Sequence, residues 1–544
     1  MAIYCSWLRV LTDPNEKVPI PIRKNPEPHV RRIIEHLKNL FNARNSRYQR
    51  IQEELCRKVL QTIVTVTKES SLEPKTWEVI LMFLLHVSDI LLAPPLVLDH
   101  LGDALCSDLI KTLFETWIVS CAKCFPTPTF WKTLSQFVQG WLHHMPVLDW
   151  WARFTLVLGD RVIQTTQGPG YPRLSLPEDD RAHVVVLDDE TATQTWYRFL
   201  QLIENPVQLA DAGSIARKPK FIGMAKLNSN RDDPLTTNHP CLANLPLIFL
   251  RTMEGISQMV DGFLGIESRV KLNSRRHSNF STSASSTAPS ASSSPPTGRK
   301  AKGRDLSRRP SQLNLPDVPK SEVASAASIT TEKKGLKPGL MANSSSQNLV
   351  HQDQPIYEDA FRRRCSLEHI PRDRPYVNSV LHLFGKWLFE ASMVADQQDN
   401  DNLSQTRSVA GNIWSSESEL TDGNEAGRAE ALGCLARILS TIRTNEKVLP
   451  AYLARSYLAL SHGLLEDCNN FHLLRASIII NSVDFFRIDL PGVTSLLPCY
   501  FKVLQQLIPN AQLKTYKTNI NINELRFASI SILLSVLAYP LHYR

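Results

Sequence analysis

The sequence predicts an all-α fold, an irregular HEAT- or armadillo-like α-solenoid interrupted by a long disordered linker. Two observations carry this. Apolar residues recur at three- and four-residue spacing in one segment after another, with proline-rich breaks between, while alternating strand patterns are scarce. Then, from about Asn273 to Arg374, serine, alanine, proline and basic residues displace the bulky apolar ones, a composition that cannot bury enough surface to offset its ordering entropy. No fixed repeat length is visible, so the array is irregular. The chain divides into a partly extended lead-in (1–25), a helical-repeat domain (26–272), the linker (273–374) and a helical continuation (375–544) with a polar break at 396–424.

In the lead-in, Trp7, Leu8 and Leu11 look like the tail of a helix, and VPIPIRKNPEP reads as an extended, proline-stiffened stretch. Helical patterning starts near Pro28, where Val30, Ile33, Ile34, Leu37, Leu40 and Phe41 share a face. A second helix carries Ile51, Leu55, Val59, Ile63 and Val66. The stretch from Glu69 to Pro95 is expected to be the central helix. Ser70, Ser71, Glu73 and Pro74 supply its start. Trp77, Ile80, Leu81, Leu84, Leu85, Leu91 and Leu92 recur at helical spacing, and Met82, Phe83, Val87 and Ile90 fill the other side. A helix apolar all round is expected to be surrounded by others. Pro94-Pro95 ends it, and as a membrane span it is too short and carries His86 and Asp89.

The next helix, about Leu101 to Cys124, places Leu105, Leu109, Leu113, Phe114, Trp117 and Cys121 inward. Helices follow near Phe130–His143, Leu148–Ile163, Thr191–Ile203 and Leu242–Leu264. After the linker, VNSVLHLFGKWLFEASM forms another. Ala429, Leu432, Leu435, Ala436, Leu439 and Ile442 then share a face, as do Leu449, Tyr452, Leu453, Tyr457 and Leu460. Leu525, Ile530, Leu533 and Leu534 mark the last helix.

The 544 residues are enough for a large core, and 43% hydrophobic with 21% charged residues fits a folded protein with a disordered portion. The net charge of +8 lies largely in the serine-rich middle rather than along one helix face, which speaks against nucleic-acid binding. Ten cysteines are scattered without a disulfide framework, and several, such as Cys56 and Cys434, fall inside apolar helical patterns; buried reduced thiols in a cytoplasmic protein are expected. No signal peptide and no transmembrane segment are read from the sequence.

Catalytic signatures are missing from the letters. Gly298 to Gly303 has the frame of a phosphate-binding loop, but Arg304-Asp305 stands where lysine and a hydroxyl residue are needed. No nucleophile-elbow, zincin or kinase signature appears, and no cofactor is expected. Cys121 and Cys124 form a C-x-x-C with His143 and His144 downstream. These are zinc-ligand types, but Cys121 continues a helix face and the spacing fits no zinc module, so a structural role is favoured. Trp131, Trp141, Trp150 and Trp151 could line a ligand cage; beside Phe130, Phe137 and Phe154, core packing is the stronger reading.

The linker carries R-R-x-S three times, ending at Ser278, Ser311 and Ser366. Basophilic kinases read arginines ahead of the acceptor serine. Phosphorylation adds roughly two negative charges and creates a docking point for an arginine-lined phosphoserine adaptor. These three serines are the candidate modification sites.

Several blocks together resemble the β-subunit family of Ral GTPase-activating protein complexes: VPIPIRKNPEPHVRRIIEHLKNLF (18–41), ESSLEPKTWEVILMFLLHVSDILLAPP, CFPTPTFWKT (124–133), QTWYRFLQLIENPVQL (194–209), SVLHLFGKWLFEA (379–391), EAGRAEALGCLARI (425–438) and VLPAYLARSYLALSHGL (448–464). They occur in order through both helical regions. The resemblance implies a mostly helical, non-catalytic regulatory or scaffold subunit that binds a catalytic α subunit, the complex stimulating GTP hydrolysis by Ral-type small GTPases by completing their site in trans. It also implies a further C-terminal region with a GTPase-activating-like domain, so this chain is expected to correspond to the N-terminal helical portion alone. The alternative is a helical scaffold whose phosphorylated linker binds phosphoserine adaptors without a Ral role.

Overall fold

The structure, a computed structural model, describes residues 2–266 and 371–542, apart from 14–16, 43–47, 94–99, 185, 219–221, 223–241, 372, 395–416, 444, 466–471 and 510–519. Among the described residues there are helices and no strands, as the periodicity predicts. Nearly all of residues 273–374 lies outside the description, the three candidate serines included.

Prolines and side-chain caps set most helix starts. The chain opens with α1 (Ala2–Leu8), continued by a 3₁₀ turn to Leu11. The proline-rich stretch predicted to be extended is instead the short helix α2 (Ile20–Lys24) running into α3 (Pro26–Leu37). Pro21, Pro26 and Pro28 sit in first turns, where the missing N–H costs no hydrogen bond. Next come α4 (Gln49–Glu69), α5 (Pro74–Leu92), α6 (His100–Lys123), α7 (Pro128–Trp141) and α8 (Met145–Gln167). Thr127 caps α7 by accepting from the Phe130 N–H, and Gly168, at φ +90°, ends α8. A short α9 (Glu178–Ala182) precedes α10 (Asp189–Leu200), where the Asp188 carboxylate caps the Thr191 N–H at 2.9 Å. The 3₁₀ segments Gln201–Ile203 and Pro206–Ala210 and the short α11 (Ala212–Ala216) lead to α12 (Leu245–Leu264). After the linker come α13 (Val377–Ser392), α14 (Glu417–Ser440), α15 (Pro450–Leu465), α16 (His472–Asn481), α17 (Leu497–Leu507) and α18 (Ile522–His542).

These helices stack in two rows. In one, α4 packs on α6, α6 on α8, α8 on α12, α12 on α14, α14 on α16 and α16 on α18. In the other, α3 packs on α5 and α5 on α7, then α13 on α15 and α15 on α17; the 3₁₀ segment Pro206–Ala210 touches both α12 and α13. One contiguous apolar core runs from Cys5 to Ile532 through both halves of the chain.

The Glu69–Pro95 stretch is not encircled. α5 lies between α3, α6 and α7 and leaves Lys75, Glu78, Met82 and His86 on a solvent strip, with Met82 42% exposed. The encircled helix is α14, in which every residue from Glu425 to Ser440 is buried, together with Thr441 and Ile442 beyond its end. Inside it, Arg437 is paired with Asp261 and Glu430.

Candidate functional site

The chemistry-bearing side chains gather at a polar seam where α12, α14 and α16 meet. Arg437 and Glu430 are seven residues apart on α14, two turns along one face. Arg437 Nε donates to Asp261 Oδ1 of α12 at 2.9 Å, and its Nη1 donates to Asn481 Oδ1 of α16 at 3.1 Å. Its Nη2 donates to the Ser257 hydroxyl and, at 3.4 Å, to Glu430 Oε1. The three charged side chains are at most 3% exposed. Burial alone would favour a neutral guanidine, but the Asp261 and Glu430 carboxylates outweigh it and push the Arg437 pKa above its ordinary value. Close backbone approach is part of the seam: a Cβ on Gly433 would stand 2.5 Å from Ser477 Oγ. A buried ion-pair cluster of this kind fixes register between helices.

A second cluster closes the ends of the linker. α12 stops at Gly265, whose φ of +69° is left-handed and suited to glycine. Its pro-Cβ position lies 2.5 Å from Pro371 Cδ and 2.9 Å from the Tyr171 hydroxyl, which itself donates to Phe263 O at 2.7 Å. The chain therefore leaves α12 and returns toward α13 at one place. Three residues on, Arg374 lies fully buried, although composition alone assigns it to the linker. Its Nη2 donates to Glu446 Oε2 at 2.8 Å and to Thr441 O, and its Nη1 to Pro375 O at 2.7 Å. Glu446 also accepts from the Val377 N–H, capping α13 from the loop before α15. The signal that could have flagged the first cluster is a lone arginine in a segment otherwise largely small and apolar, as at Arg437 in LGCLARIL.

The C-x-x-C and its histidines do not come together as a metal site. Cys121 is buried in α6, its thiol pushed up to about 12 by burial. His143 and His144 stack on each other at 4.1 Å, with His144 Nε2 3.0 Å from Leu92 O. Among the described residues no group of three or more potential ligands is placed to hold a metal ion. The tryptophans pack against other side chains and backbone groups of the protein. Trp131 meets Trp117 and Phe199 edge-on, the Trp151 indole donates to Phe199 O at 2.8 Å, and the Trp141 indole donates to Asp89 at 3.3 Å. Trp150, half-buried, lies under the Arg153 guanidinium at 4.3 Å and donates to Ser107 Oγ at 3.0 Å. Burial likewise pushes the Cys56 and Cys434 thiols up to about 12, leaving them protonated and unreactive.

One carboxylate is strongly perturbed. Burial would raise the pKa of Glu115 on α6, but hydrogen bonds from His183 and Lys68 outweigh it and bring it to about 2. His183 Nδ1 is 3.1 Å away, and Lys68 closes the pair from α4. The group ties α4, α6 and the turn after α9 together.

Residues 48–169, from α4 through α8, match the family model of the RALGAPB N-terminal domain. The human Ral GTPase-activating protein subunit beta is 34% identical over 99% of this chain, and the mouse protein is 33% identical over the same share. In each case the match covers 36% of the relative's length, so the chain spans about a third of the curated relatives it matches. A Rap-GAP domain-containing protein of Dictyostelium discoideum is 31% identical over 162 residues, 28% of this chain and 10% of that protein. No solved structure matches. Over nearly its whole length, then, the chain is similar to part of Ral GTPase-activating protein subunit beta.

Proposed function

We propose that this protein is a non-catalytic regulatory subunit that binds the catalytic α subunit of a Ral GTPase-activating complex and so acts on Ral-type GTPases indirectly, in the cytoplasm. The observation that carries this reading is the 34% identity running through 99% of the chain, across both halves and their shared core. The two-row stack of helices supports reading the fold as an irregular HEAT/armadillo-like solenoid, a form that offers extended partner surfaces. The buried thiols and the buried ion-pair seam are in keeping with a scaffold. No helix among the described residues is long and apolar enough to cross a membrane.

Co-purification with a full-length α subunit, read by size-exclusion light scattering, tests the reading. A stable heteromeric complex supports it; two separate peaks at micromolar concentrations count against it. The linker serines Ser278, Ser311 and Ser366 add a regulatory layer in this proposal: phosphorylated, they recruit a phosphoserine adaptor. Replacing all three by alanine should abolish adaptor capture by the kinase-treated protein, and unchanged capture would remove that layer while leaving the α-subunit reading intact.

A further inference from the structure

Positive charge is concentrated at one end of the helical stack. The first 50 residues carry ten lysines and arginines against four aspartates and glutamates. Residues 51–272 carry 20 against 25 and residues 375–544 carry 14 against 15, so the helices that follow have no basic excess of their own. In the first layer Arg31 is spent on Glu73, at 2.9 Å, and on the Thr76 hydroxyl. Arg9, Lys17, Arg23, Lys24, Arg32 and Arg50 stand exposed, against the exposed acids Asp13 and Glu35 among the described residues of that stretch.

The elements that carry them are fastened down. Val10, Val18 and Ile22 form a small apolar cluster beneath α2, and α1 packs on α3 and α4. With Ile22 turned inward, Ile20 is left 59% exposed. Arg23 and Lys24, three and four residues further on, share its face of α2. The start of α4 repeats the combination, with Tyr48 and Ile51, exposed by 58 and 60%, on either side of Arg50. Charge and apolar tips together decide the kind of partner. A cationic surface is complementary to an anionic one. An acidic peptide would pair the cations and leave Ile20 and Ile51 in water. A bilayer with anionic headgroups takes both, the aliphatic tips entering the edge of the acyl region while the lysine and arginine heads stay among the phosphates.

We propose that the N-terminal layer, α1 to α3 with the start of α4, docks on a membrane surface rich in anionic phospholipid, with Arg23 and Lys24 at the phosphates and Ile20 inserted between headgroups. The contact is electrostatic first, hence reversible and weakened by salt. It is independent of the α-subunit reading, because its test contains neither that subunit nor a GTPase.

The probe is vesicles of phosphatidylcholine, with and without about one-third phosphatidylserine, floated with the full chain at about 0.1 M salt. The variants are Arg23→Glu with Lys24→Glu, Ile20→Asn, and, as a control of equal charge change, Lys75→Glu with Lys132→Glu on α5 and α7. All five positions are exposed, and the thermal transition of each variant reports its folding. Binding confined to the anionic vesicles is expected, weakened at least about tenfold by the Arg23–Lys24 pair and under about twofold by the control. Ile20→Asn should weaken vesicle binding and leave binding to soluble polyglutamate unchanged. Absence of binding to the anionic vesicles overturns the proposal. Binding that both glutamate pairs weaken alike, or that neither weakens, overturns it by moving the contact to diffuse charge or to the serine-rich middle. An Ile20→Asn variant that binds vesicles as the wild type does removes the apolar half of the contact and overturns it as well. Polyglutamate binding that depends on Arg23 and Lys24, without vesicle binding, overturns it in favour of an acidic protein segment.

Discussion

Arg437 and Asp261 are 176 positions apart in the sequence and meet at 2.9 Å in the interior, with neither side chain more than 3% exposed. Everything between them, the linker included, is spanned by that pair. It joins α12, the last helix before the linker, to α14, the second after it, inside a single apolar core. The two helical regions are therefore one folding unit interrupted by an insertion.

Removing the cation should expose how much the seam matters. Arg437→Met leaves Asp261 and Glu430 buried with their charge uncompensated, and the expected cost is about 3–5 kcal/mol. Urea denaturation would read it as a lowered midpoint. Adding Asp261→Asn and Glu430→Gln to that variant removes the orphaned charges and should recover a substantial part of the loss. A single variant within 0.5 kcal/mol of wild type would mean the seam is solvated or rearranged.

If the linker is an insertion, its length is dispensable to the fold. Gly265 and Pro371 already touch, so the entropy of closing the loop is a slowly varying function of what lies between. Deleting residues 275–353 should leave the melting temperature within about 1 °C, a shift equivalent to about 1 kcal/mol for a chain of this size. A drop of 10 °C or more would show that the segment packs on the helices.

The helices themselves were legible because apolar spacing and proline position report local geometry directly: α6, α8 and α12 lie where their leucines and tryptophans predict them. What could not be read was which helix is innermost. Met82 and Ile90 gave α5 a uniform apolar appearance, yet Met82 stays in solvent, while α14, with Glu425, Arg428, Glu430 and Arg437, is buried throughout. Hydropathy scores each residue alone, and Arg437 is held by Asp261, which pairs its charge, and by Asn481, which accepts a hydrogen bond, both on other helices. The same blindness put Arg374 in the linker, since its partner Glu446 lies 72 positions away. VPIPIRKNPEP failed differently: prolines in first turns start helices, and two successive starts look like an extended stretch.

The clasp at the linker ends should be intolerant of a single methyl group. Gly265→Ala places a Cβ at φ +69° and against Pro371 and the Tyr171 hydroxyl. Left-handed strain costs about 1 kcal/mol, and the clash adds to it, so a loss of about 2–3 kcal/mol is expected. Proteolysis provides a local readout: cleavage near residues 266–271 should accelerate in the variant more than cleavage at α5. Equal acceleration at both sites would mean global destabilisation and no special role for the clasp.

Glu115 gives the protein a stability term with a definite pH signature. Its carboxyl has an ordinary value of 4.5 and is held at about 2 in the fold by His183 and Lys68, against the opposing effect of burial. The folded-state pKa is depressed, so the unfolded chain takes up the proton first as pH falls. The stabilisation is complete above pH 4.5, declines below it and is gone once pH passes through about 2. A shift of that size corresponds to about 3 kcal/mol at neutral pH. Glu115→Gln should therefore lower stability by about that amount at pH 7, with the gap from wild type narrowing steadily between pH 4.5 and 2. Thermal unfolding of both proteins across that range measures the gap. A difference that stays constant from pH 7 to pH 3 would show that the loss comes from packing or hydrogen-bond geometry, and that the charge on Glu115 does not bind α4 to α6.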